Sequence, residues 1–421
     1  MRILATSVGS AGDFLPTLAV AAVLGRRGHD VTVVANPFYE SRIRAAGLRF
    51  VAAGEILDLN EAVQNRPDFI DPVRGGAKLF DELLVPNLVA VYETLGRLLD
   101  TDRPDIVLGN NVSFSAFWAA AERGVPSVNV HATPLAWASP LAPMVLSDWT
   151  PPRFLQPVLT TALRWLIAWF LGRKLRPIAR RLGTKIPDPS YVGTEALAAR
   201  QLGLWSGLLR GPVATDPFNG VICGSARASV LGGESAGNPP EVEAFLSAGT
   251  PPVAVGLGSV FSLVMKDVLV NLAEASAKLG MRCLIIGHPA GAVFPSNTLA
   301  VRYAPYNLVF PRSAVAVVHG GAGSTGEALR SGRPSIVVPF GYDQYWMGTQ
   351  VERLGVGVRV RLAKRRVEDF VDVLQHVLGD ELMGQRAAER HRAFSGEADG
   401  AEIGADEVEK LVRQTAMRVG A

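Results

Sequence analysis

Residues 314–344 read AVAVVHGGAGSTGEALRSGRPSIVVPFGYDQ, and this stretch decides the fold class of the chain. An apolar run over Ala314–Val318 predicts a buried strand, and a turn with three glycines in four positions follows it. A helical pattern over Thr325–Ser331 stops at Gly332, and Ser335–Val338 predicts the next strand. A strand, a tight turn, a helix and a strand in this order form one parallel α/β unit.

The same alternation of strands and helices occurs in two series along the chain. The first series has four β-branched runs, at Ile3–Val8, Val31–Ala35, Ile106–Leu108 and Ser127–Val130, and one clear helical pattern at Thr17–Arg27. The second series has runs at Val253–Leu257, Cys283–Ile286, Ala314–Val318 and Ser335–Val338. Because 421 residues exceed one ordinary domain, we expect two doubly wound, Rossmann-like α/β domains that face a central cleft.

Composition shifts along the chain predict the domain boundaries. We expect an N-terminal domain over 1–223 and a Gly/Ser/Pro-rich linker over 224–240. A C-terminal domain should occupy 241–400, and a helix over 401–421 should return toward the N-terminal domain. Within the first domain, residues 135–215 are rich in Trp and Pro and show no clear strand, so this stretch is predicted to be helical.

The overall composition excludes several classes of protein. Hydrophobic residues make up 48% of the chain and charged residues 19%, which is enough apolar material for two cores. The net charge of +3 gives no indication of nucleic-acid binding. Cys223 and Cys283 lie in apolar runs and indicate buried thiols in a reducing compartment. The first residues, MRILATSV, resemble a strand rather than a signal peptide, so we expect a cytoplasmic protein.

Residues 155–181 combine an apolar stretch with a cluster of basic residues, namely Arg173, Lys174, Arg176, Arg180 and Arg181. The apolar part is too short to span a bilayer. Two interpretations remain open. The segment is either a helix packed in a core with a solvated basic face, or a helix that lies on an anionic membrane surface.

The glycine-rich turn has the properties of a phosphate-binding loop. Gly321 and Gly323 allow a close approach of the backbone to a ligand. Ser324 or Thr325 is predicted to cap the helix, whose N–H groups and dipole favour a diphosphate. His319, at the end of the strand, can donate a hydrogen bond to a phosphate oxygen.

Three further residues suit a sugar nucleotide. Glu327, one turn into the helix, can bind a ribose diol, and Asp343 with Gln344 at a strand end can hold two sugar hydroxyls. The alternative for the acid–amide pair is a simple N-cap of the following helix.

The stretch from His319 to Gln344 resembles the nucleotide-binding signature of the UDP-glycosyltransferase superfamily (family 1, GT-B fold), including the plant secondary-product box. In that family the His and Ser contact the diphosphate, the Glu contacts the ribose, and the Asp–Gln pair contacts the donor sugar. The resemblance extends upstream to Ser259, which implies a phosphate contact, and to Tyr303 and Ala304, which imply a contact with the base. The pattern is most similar to the bacterial rhamnosyl-, sterol- and antibiotic-type branches.

Asp13 follows the first strand in the sequence GSAGDFLP. From the residues alone it is either an N-cap or a functional carboxylate. Gly12 to Pro16 resemble the family's Gly-His-x-x-Pro motif, whose His is the general base in plants and is replaced by Asp in bacterial branches. Asn110 stands where plant members carry the Asp that orients their His. The resemblance therefore implies that Asp13 is the base, with Ser10 and Gly12 near the donor.

The function implied by the resemblance is inverting, metal-independent transfer of a hexose from a UDP- or dTDP-sugar, without a further cofactor, onto a small hydrophobic acceptor such as a natural product, sterol or lipid. His319 would support catalysis by stabilising the leaving diphosphate. We expect acceptor contacts from Phe14, Phe114, His131 and Trp137. The Asp100–Asp102 pair is interpreted as solvated surface rather than as a metal site, and no metal site is predicted.

Two alternative functions have the same architecture. A UDP-sugar epimerase would need no acceptor pocket, and the aromatic N-terminal half argues against it. A catalytically inactive auxiliary protein would be expected to lose donor-binding residues, whereas His319, Glu327, Asp343 and Gln344 are all present.

Overall fold

The computed structural model describes residues 1–58, 61–62, 65–70, 75–184, 197–227, 237–258, 265–287, 291–361 and 363–419. Its strands form two sheets, with the orders β3-β2-β1-β4-β5-β6-β7 and β10-β9-β8-β11-β12-β13. The strands of the first sheet are β1 Arg2–Thr6, β2 Asp30–Ala35, β3 Arg49–Ala52, β4 Ile106–Asn110, β5 Ser127–His131, β6 Arg200–Gly203 and β7 Gly220–Ile222. Those of the second are β8 Val253–Gly256, β9 Cys283–Ile286, β10 Thr298–Val301, β11 Val315–Val318, β12 Ser335–Val337 and β13 Gly357–Arg359. The expected pair of doubly wound α/β domains is confirmed.

Helices connect these strands. In the N-terminal domain they are α1 Ala11–Arg26, α2 Glu40–Ala45, α3 Gly75–Leu79, α4 Val85–Asp102, α5 Phe114–Glu122 and α6 Gln156–Arg181. The remaining helices are α7 Pro240–Ser247, α8 Lys266–Lys278, α9 Tyr306–Val309, α10 Ala322–Arg330, α11 Gln344–Leu354, α12 Val367–Gly379, α13 Glu381–Gly396 and α14 Gly400–Val419.

The central strands are apolar on both faces because helices cover both sides of each sheet. Every residue of β4, β8, β9 and β11 is buried. All strand pairs in the two sheets are parallel. The alternation of β-branched runs with helical patterns therefore correctly predicted parallel sheets.

Two local expectations were wrong. The stretch 135–215 contains β6, which pairs with β5 and β7 at the edge of the first sheet. Its sequence, Arg-Gln-Leu-Gly, has no β-branched residue, so the strand is formed by pairing rather than by local preference. The helix expected over Thr17–Arg27 begins earlier, at Ala11, which moves Asp13 into its first turn.

Helix α14, in the last part of the chain, packs against α1 of the N-terminal domain. Ala401, Ala405 and Val408 are fully buried in the core cluster that contains α1. Charged groups border this contact, since Arg27 bonds Glu402 and Asp406, both at 2.7 Å. The C-terminal helix therefore ties the two ends of the chain to one domain.

Each sheet has one point where the strand order reverses. In the first sheet β1 pairs with β4, and in the second β11 pairs with β8. Loops that leave the carboxyl ends of such strands diverge and leave a crevice in which ligands bind. The loop of Asp13 follows β1, and the loop of His319 follows β11. The fold thus brings both sequence motifs to ligand-binding positions.

Candidate active site

Asp13 is the third residue of α1, and its carboxylate is held by the residue that begins the helix. The backbone N–H and the hydroxyl of Ser10 both donate to Asp13 Oδ2, at 2.9 and 2.8 Å. A side chain at Gly9 would collide with the same oxygen, and Gly9 has φ +117°, so glycine is required there. The N-cap position itself belongs to Ser10, and Asp13 at N3 completes a capping box with it, so Asp13 helps to cap α1 without being the N-cap residue.

The surroundings of Asp13 suit a base of raised pKa. Burial raises the pKa of the carboxyl, and the two hydrogen bonds from Ser10 oppose that shift. Tyr39, stacked on Phe14 at 3.9 Å, bonds the Gly9 carbonyl at 3.2 Å and closes one side of the loop. A carboxylate whose pKa is raised is a better proton acceptor than an ordinary aspartate.

Asn110, at the end of β4, does not orient Asp13 but fixes the backbone that precedes it. Its side-chain amide donates to the Val8 carbonyl at 2.8 Å, and its oxygen accepts from the Val8 N–H at 3.3 Å. The side chain is buried and also accepts a bond from Ser113. Asn110 therefore links the end of β4 to the backbone that follows β1. An ionised Asp could not make both bonds, because it has no N–H to donate to the Val8 carbonyl.

The glycine-rich turn after β11 exposes the start of α10 to the cleft. Gly321 is the N-cap, and the helix begins at Ala322. The expectation that Ser324 or Thr325 caps it is wrong, because both lie inside the helix. Ser324 Oγ donates to the Gly321 carbonyl at 3.1 Å. The first turn of a helix leaves N–H groups without intrahelical partners, so the start of α10 can bind an anion.

His319 lies among glycines that leave room for its ring. A side chain at Gly258 would come within 2.8 Å of the ring, and one at Gly321 would overlap it. Ser324 Oγ lies 3.5 Å from His319 Nδ1. Burial lowers the pKa of His319 to about 4, opposed by a hydrogen bond to the Gly256 backbone. The imidazole is therefore neutral at pH 7 before an anion arrives.

The residues expected to bind the nucleoside take different positions. Tyr303 is 62% exposed, whereas Ala304 is buried. Glu327 is ion-paired with Arg330 one turn along α10. A ribose diol would therefore meet a carboxylate that already has one partner.

Asp343 and Gln344 perform different tasks at the start of α11. Gln344 is buried, and its Oε1 accepts from the N–H groups of Phe340 and Gly341 at 2.7 and 3.2 Å. Asp343 is in the N-cap position, but its side chain does not cap the helix. Instead the side chain of Thr133, in the N-terminal domain, lies close enough to lower the pKa of the Asp343 carboxyl. A sugar contact by Gln344 stays a prediction, since its carbonyl oxygen holds the loop.

Asp13 and Asp343 lie close enough to interact electrostatically across the cleft. Burial raises the pKa of Asp343 to about 6, Thr133 lowers it, and the charge of Asp13 raises it further. Partial desolvation and the charge of Asp13 also raise the pKa of Tyr342, which is 62% exposed and has φ +56°. One site therefore contains residues of both domains. Thr133 and Tyr342 were missed from the sequence, although each follows a strand end, where ligands bind in such folds.

Comparison with known proteins gives the same picture over the whole chain. Residues 284–409 match the family described as Erythromycin biosynthesis protein CIII-like, C-terminal domain. The O-mycaminosyltylonolide 6-deoxyallosyltransferase of Streptomyces fradiae is 27% identical over 99% of this chain and 98% of its own. The kitacinnamycin glycosyltransferase structure covers 98% of this chain and 99% of its own, with TM-score 0.74 and 21% identity. The glycosyltransferase VinC, solved with dTDP, covers 98% and 100%, with TM-score 0.66 and 18% identity.

The chain is a homologue of GT-B glycosyltransferases. These similarities confirm the family resemblance seen in the sequence and the GT-B architecture. The homologues are glycosyltransferases, so the expected class of enzyme is confirmed as well. In this GT-B homologue Asp13 follows β1 of the first sheet, and His319 and Asp343 follow β11 and β12 of the second. Ser10 contacts Asp13 directly, whereas Gly12 is exposed at the start of α1.

The four residues expected to contact the acceptor are buried side chains in this GT-B homologue. Phe14 stacks on Tyr39, and Phe114 packs in a cluster with Trp118. His131 Nε2 donates a hydrogen bond to Gln201 Oε1 at 2.8 Å, and its ring makes an edge-to-face contact with Trp137. Burial lowers the pKa of His131 to about 4, so it is neutral. A direct acceptor contact by these residues stays a prediction.

Other expectations concern metals, membranes and the phosphate contact of Ser259. Ser259 lies outside the described residues. Within the described ranges, no group of three His, Cys, Asp or Glu side chains could hold a metal ion, and no helix is long and apolar enough to cross a membrane. Asp100 is paired with Arg123 at 2.7 Å, as suits a surface residue.

Proposed function

We propose that this chain transfers a hexose from a UDP- or dTDP-sugar to a hydroxyl group of a small hydrophobic acceptor, with inversion at the anomeric carbon. The observation that carries the proposal is that Asp343 lies within electrostatic range of Asp13, because the proposed base and the carboxylate proposed to bind the donor sugar would have to share one site. The dTDP bound to VinC and the deoxyallosyl transfer named for the Streptomyces relative support a nucleotide-sugar donor.

The proposed reaction is a single displacement. The acceptor oxygen attacks the anomeric carbon while the bond from that carbon to the diphosphate oxygen breaks, and the electron pair leaves with the nucleoside diphosphate. The hydroxyl proton passes to the Asp13 carboxylate late in the step, as positive charge builds on the attacking oxygen. Attack from the face opposite the diphosphate inverts the configuration.

The diphosphate would be stabilised by fixed protein groups instead of a metal. The N–H groups at the start of α10 point toward developing negative charge, and Gly321 leaves space for close approach. His319 would take up a proton when the anion binds, because a nearby negative charge favours its charged form. Tyr303, which lies at the surface, would contact the base.

The acceptor class is proposed from the relatives, which include an antibiotic-type transferase and a sterol 3-beta-glucosyltransferase of Arabidopsis thaliana. Such acceptors are apolar alcohols. We therefore propose a polyketide, sterol or lipid alcohol rather than a protein or a nucleic acid.

Nucleotide release tests the proposal directly. UDP-glucose and dTDP-glucose are each incubated with a panel of hydrophobic alcohols in the presence of a metal chelator, and nucleoside diphosphate is measured. We expect release that depends on an acceptor and persists with the chelator. Release without acceptor would favour an epimerase or hydrolase, and donor binding without release would favour an inactive auxiliary protein.

A further inference from the structure

Helix α6 leaves several large apolar side chains exposed over its first half. Between Gln156 and Trp169 the buried residues are the small Thr160 and Ala168. Larger side chains of the same half point to solvent, and Trp165 and Trp169 are 69% and 60% exposed. An amphipathic helix normally places its large apolar residues against the core. The expectation that this segment packs in a core is wrong for its first half.

The exposed residues form one continuous surface, which we call the α6 face. Its apolar part contains Phe154, Leu155, Val158, Leu159, Trp165, Leu166 and Trp169. Its basic part contains Arg173, Arg176, Arg180 and Arg181, which are all exposed. Residues at intervals of three or four lie along one side of a helix, and the α6 face has such a row at positions 158, 162, 165, 169, 173, 176 and 180.

The second half of α6 anchors the helix to the domain. Leu175, Ile178 and Ala179 are buried in a cluster with Phe80 and Trp118. The first half is held by a polar bond, in which Thr160 Oγ1 accepts from the Met144 N–H at 3.2 Å. The α6 face is therefore a fixed surface of the N-terminal domain.

The charge of α6 has a single sign. The helix has six Lys and Arg residues and no Asp or Glu. Lys174 is paired with Asp81. Within the part of the chain that the structure describes, no acidic side chain lies within salt-bridge distance of Arg173, Arg176 or Arg180. Arg173 instead lies over the ring of Trp169, at 5.7 Å from its centroid.

We propose that the α6 face docks on the surface of an anionic lipid bilayer. The occupant must bind apolar side chains next to cationic ones. A bilayer with anionic lipids has an acyl region for the apolar side chains and negative headgroups for the cations, in adjacent layers. Tryptophan side chains are favoured at the boundary between headgroups and acyl chains. A second copy of the chain would bring two acid-free basic helices together, so its charge is not complementary.

The geometry orients the helix on the bilayer. The apolar part, from Val158 to Trp169, is about 16 Å long, and the basic part follows it toward the C-terminus. The start of α6 would enter the boundary of the acyl chains, while Arg173, Arg176 and Arg180 stay at the headgroups. This inference does not depend on the proposed transfer reaction, because docking requires no turnover.

Vesicle sedimentation tests the apolar part. The full chain is mixed with vesicles of phosphatidylcholine alone, or of phosphatidylcholine with phosphatidylglycerol. We expect binding to the anionic vesicles that weakens as ionic strength rises, and little binding to the neutral ones. The double variant Trp165→Glu, Trp169→Glu should lose binding. Phe218→Glu, at a fully exposed aromatic outside residues 141–181, is the matched control and should bind like wild type.

Charge reversal tests the basic part. Each of Arg173→Glu, Arg176→Glu and Arg180→Glu should weaken partition at least about fivefold. The control is the double variant Arg390→Glu, Arg392→Glu, which changes exposed cations on α13 and should bind like wild type. Equal losses in both sets would show a non-specific effect of net charge and would overturn the proposal.

A third measurement uses a variant that keeps the α6 face apolar. Brominated lipids should quench the fluorescence of wild type, because Trp165 and Trp169 reach the acyl boundary. The variant Trp165→Phe, Trp169→Phe should still bind but lose most of that quenching. Binding without quenching would contradict docking through this face. Failure of wild type to bind anionic vesicles, with the α6 face instead capturing an acidic protein or a second copy, would also refute it.

Discussion

The pKa of Asp13 depends on burial and on its neighbour Ser10. Ser10 donates two hydrogen bonds to a single oxygen of Asp13, and both bonds favour the ionised carboxyl. Burial acts in the opposite direction. Two opposing effects therefore determine the pKa of the proposed base, and removing one of them should shift that pKa measurably.

Ser10→Ala removes the hydroxyl bond but keeps the backbone bond. Because the lost bond favoured the charged form, the pKa of Asp13 should rise. The acid limb of the kcat/KM profile against pH should then move to higher pH, since the base must be ionised to act. Ser7→Ala, whose hydroxyl bonds only the Asp13 backbone at 3.2 Å, is the control. An unmoved limb in Ser10→Ala would mean that Asp13 is not the titrating base.

His319 should take up a proton when a nucleoside diphosphate binds. Burial holds its pKa at about 4 in the free protein, and the diphosphate favours the charged ring. Calorimetric titration with UDP or dTDP at pH 7, in buffers of different ionisation enthalpy, should show net proton uptake. His319→Gln should abolish the uptake and weaken binding. Identical heats in all buffers for wild type would contradict this role.

At the scale of elements, the glycine-rich motif was predictable because its information is local. The strand, the three glycines and the helix lie within a few residues, and His319, Glu327 and Asp343 follow from their spacing. The position of Asp13 inside α1 was not predictable. It depends on Gly9 at φ +117°, which lets the helix begin at Ala11.

Two other elements show where local patterns fail. β6 is a strand because β5 and β7 lie beside it, and Gln201 and Gly203 show no alternation that indicates one. The exposure of α6 depends on which parts of the chain cover it. A run of Leu and Trp looks the same on a core helix and on an uncovered one.

The contact between α14 and α1 should be essential to the N-terminal domain. Val408 is fully buried there. Val408→Asp places a charge in that core and should lower the free energy of unfolding by about 3 kcal/mol or more. Lys410→Ala, at an exposed position of the same helix, should change it by less than about 0.5 kcal/mol. Urea unfolding followed by circular dichroism compares them, and equal midpoints would show that α14 is dispensable.

At the scale of the whole molecule, the site exists only when the two domains meet. Thr133 and Asp343 come from different domains, and Thr133 lies close enough to lower the pKa of the Asp343 carboxyl. Arg359 also crosses between them and donates to the Ser147 carbonyl at 3.3 Å. The sequence predicted both halves of the site but not their contact, because no local pattern encodes the distance between two domains.

Two carboxyls that meet across the cleft should make stability depend on pH. The pKa of Asp343 is about 6 in the folded chain and near 3.9 when unfolded, so the folded state binds more protons between those values. The free energy of unfolding should fall as pH rises through that window. Asp343→Asn should reduce the fall, leaving the part that the raised pKa of Asp13 contributes, and should stabilise the chain by about 2 kcal/mol above pH 6. Thermal unfolding at pH 4 and pH 7.5 tests this, and a wild-type curve that rises across the window would contradict it.

The central claim is that Asp13 removes the acceptor proton. The most direct measurement compares acceptor-dependent nucleotide release by wild type and by Asp13→Asn, with donor binding measured alongside. We predict that release falls by about 100-fold to 10,000-fold while donor affinity stays within a few fold, because the amide keeps the shape but cannot take a proton. Release at the wild-type rate by Asp13→Asn would contradict the account and would require another base.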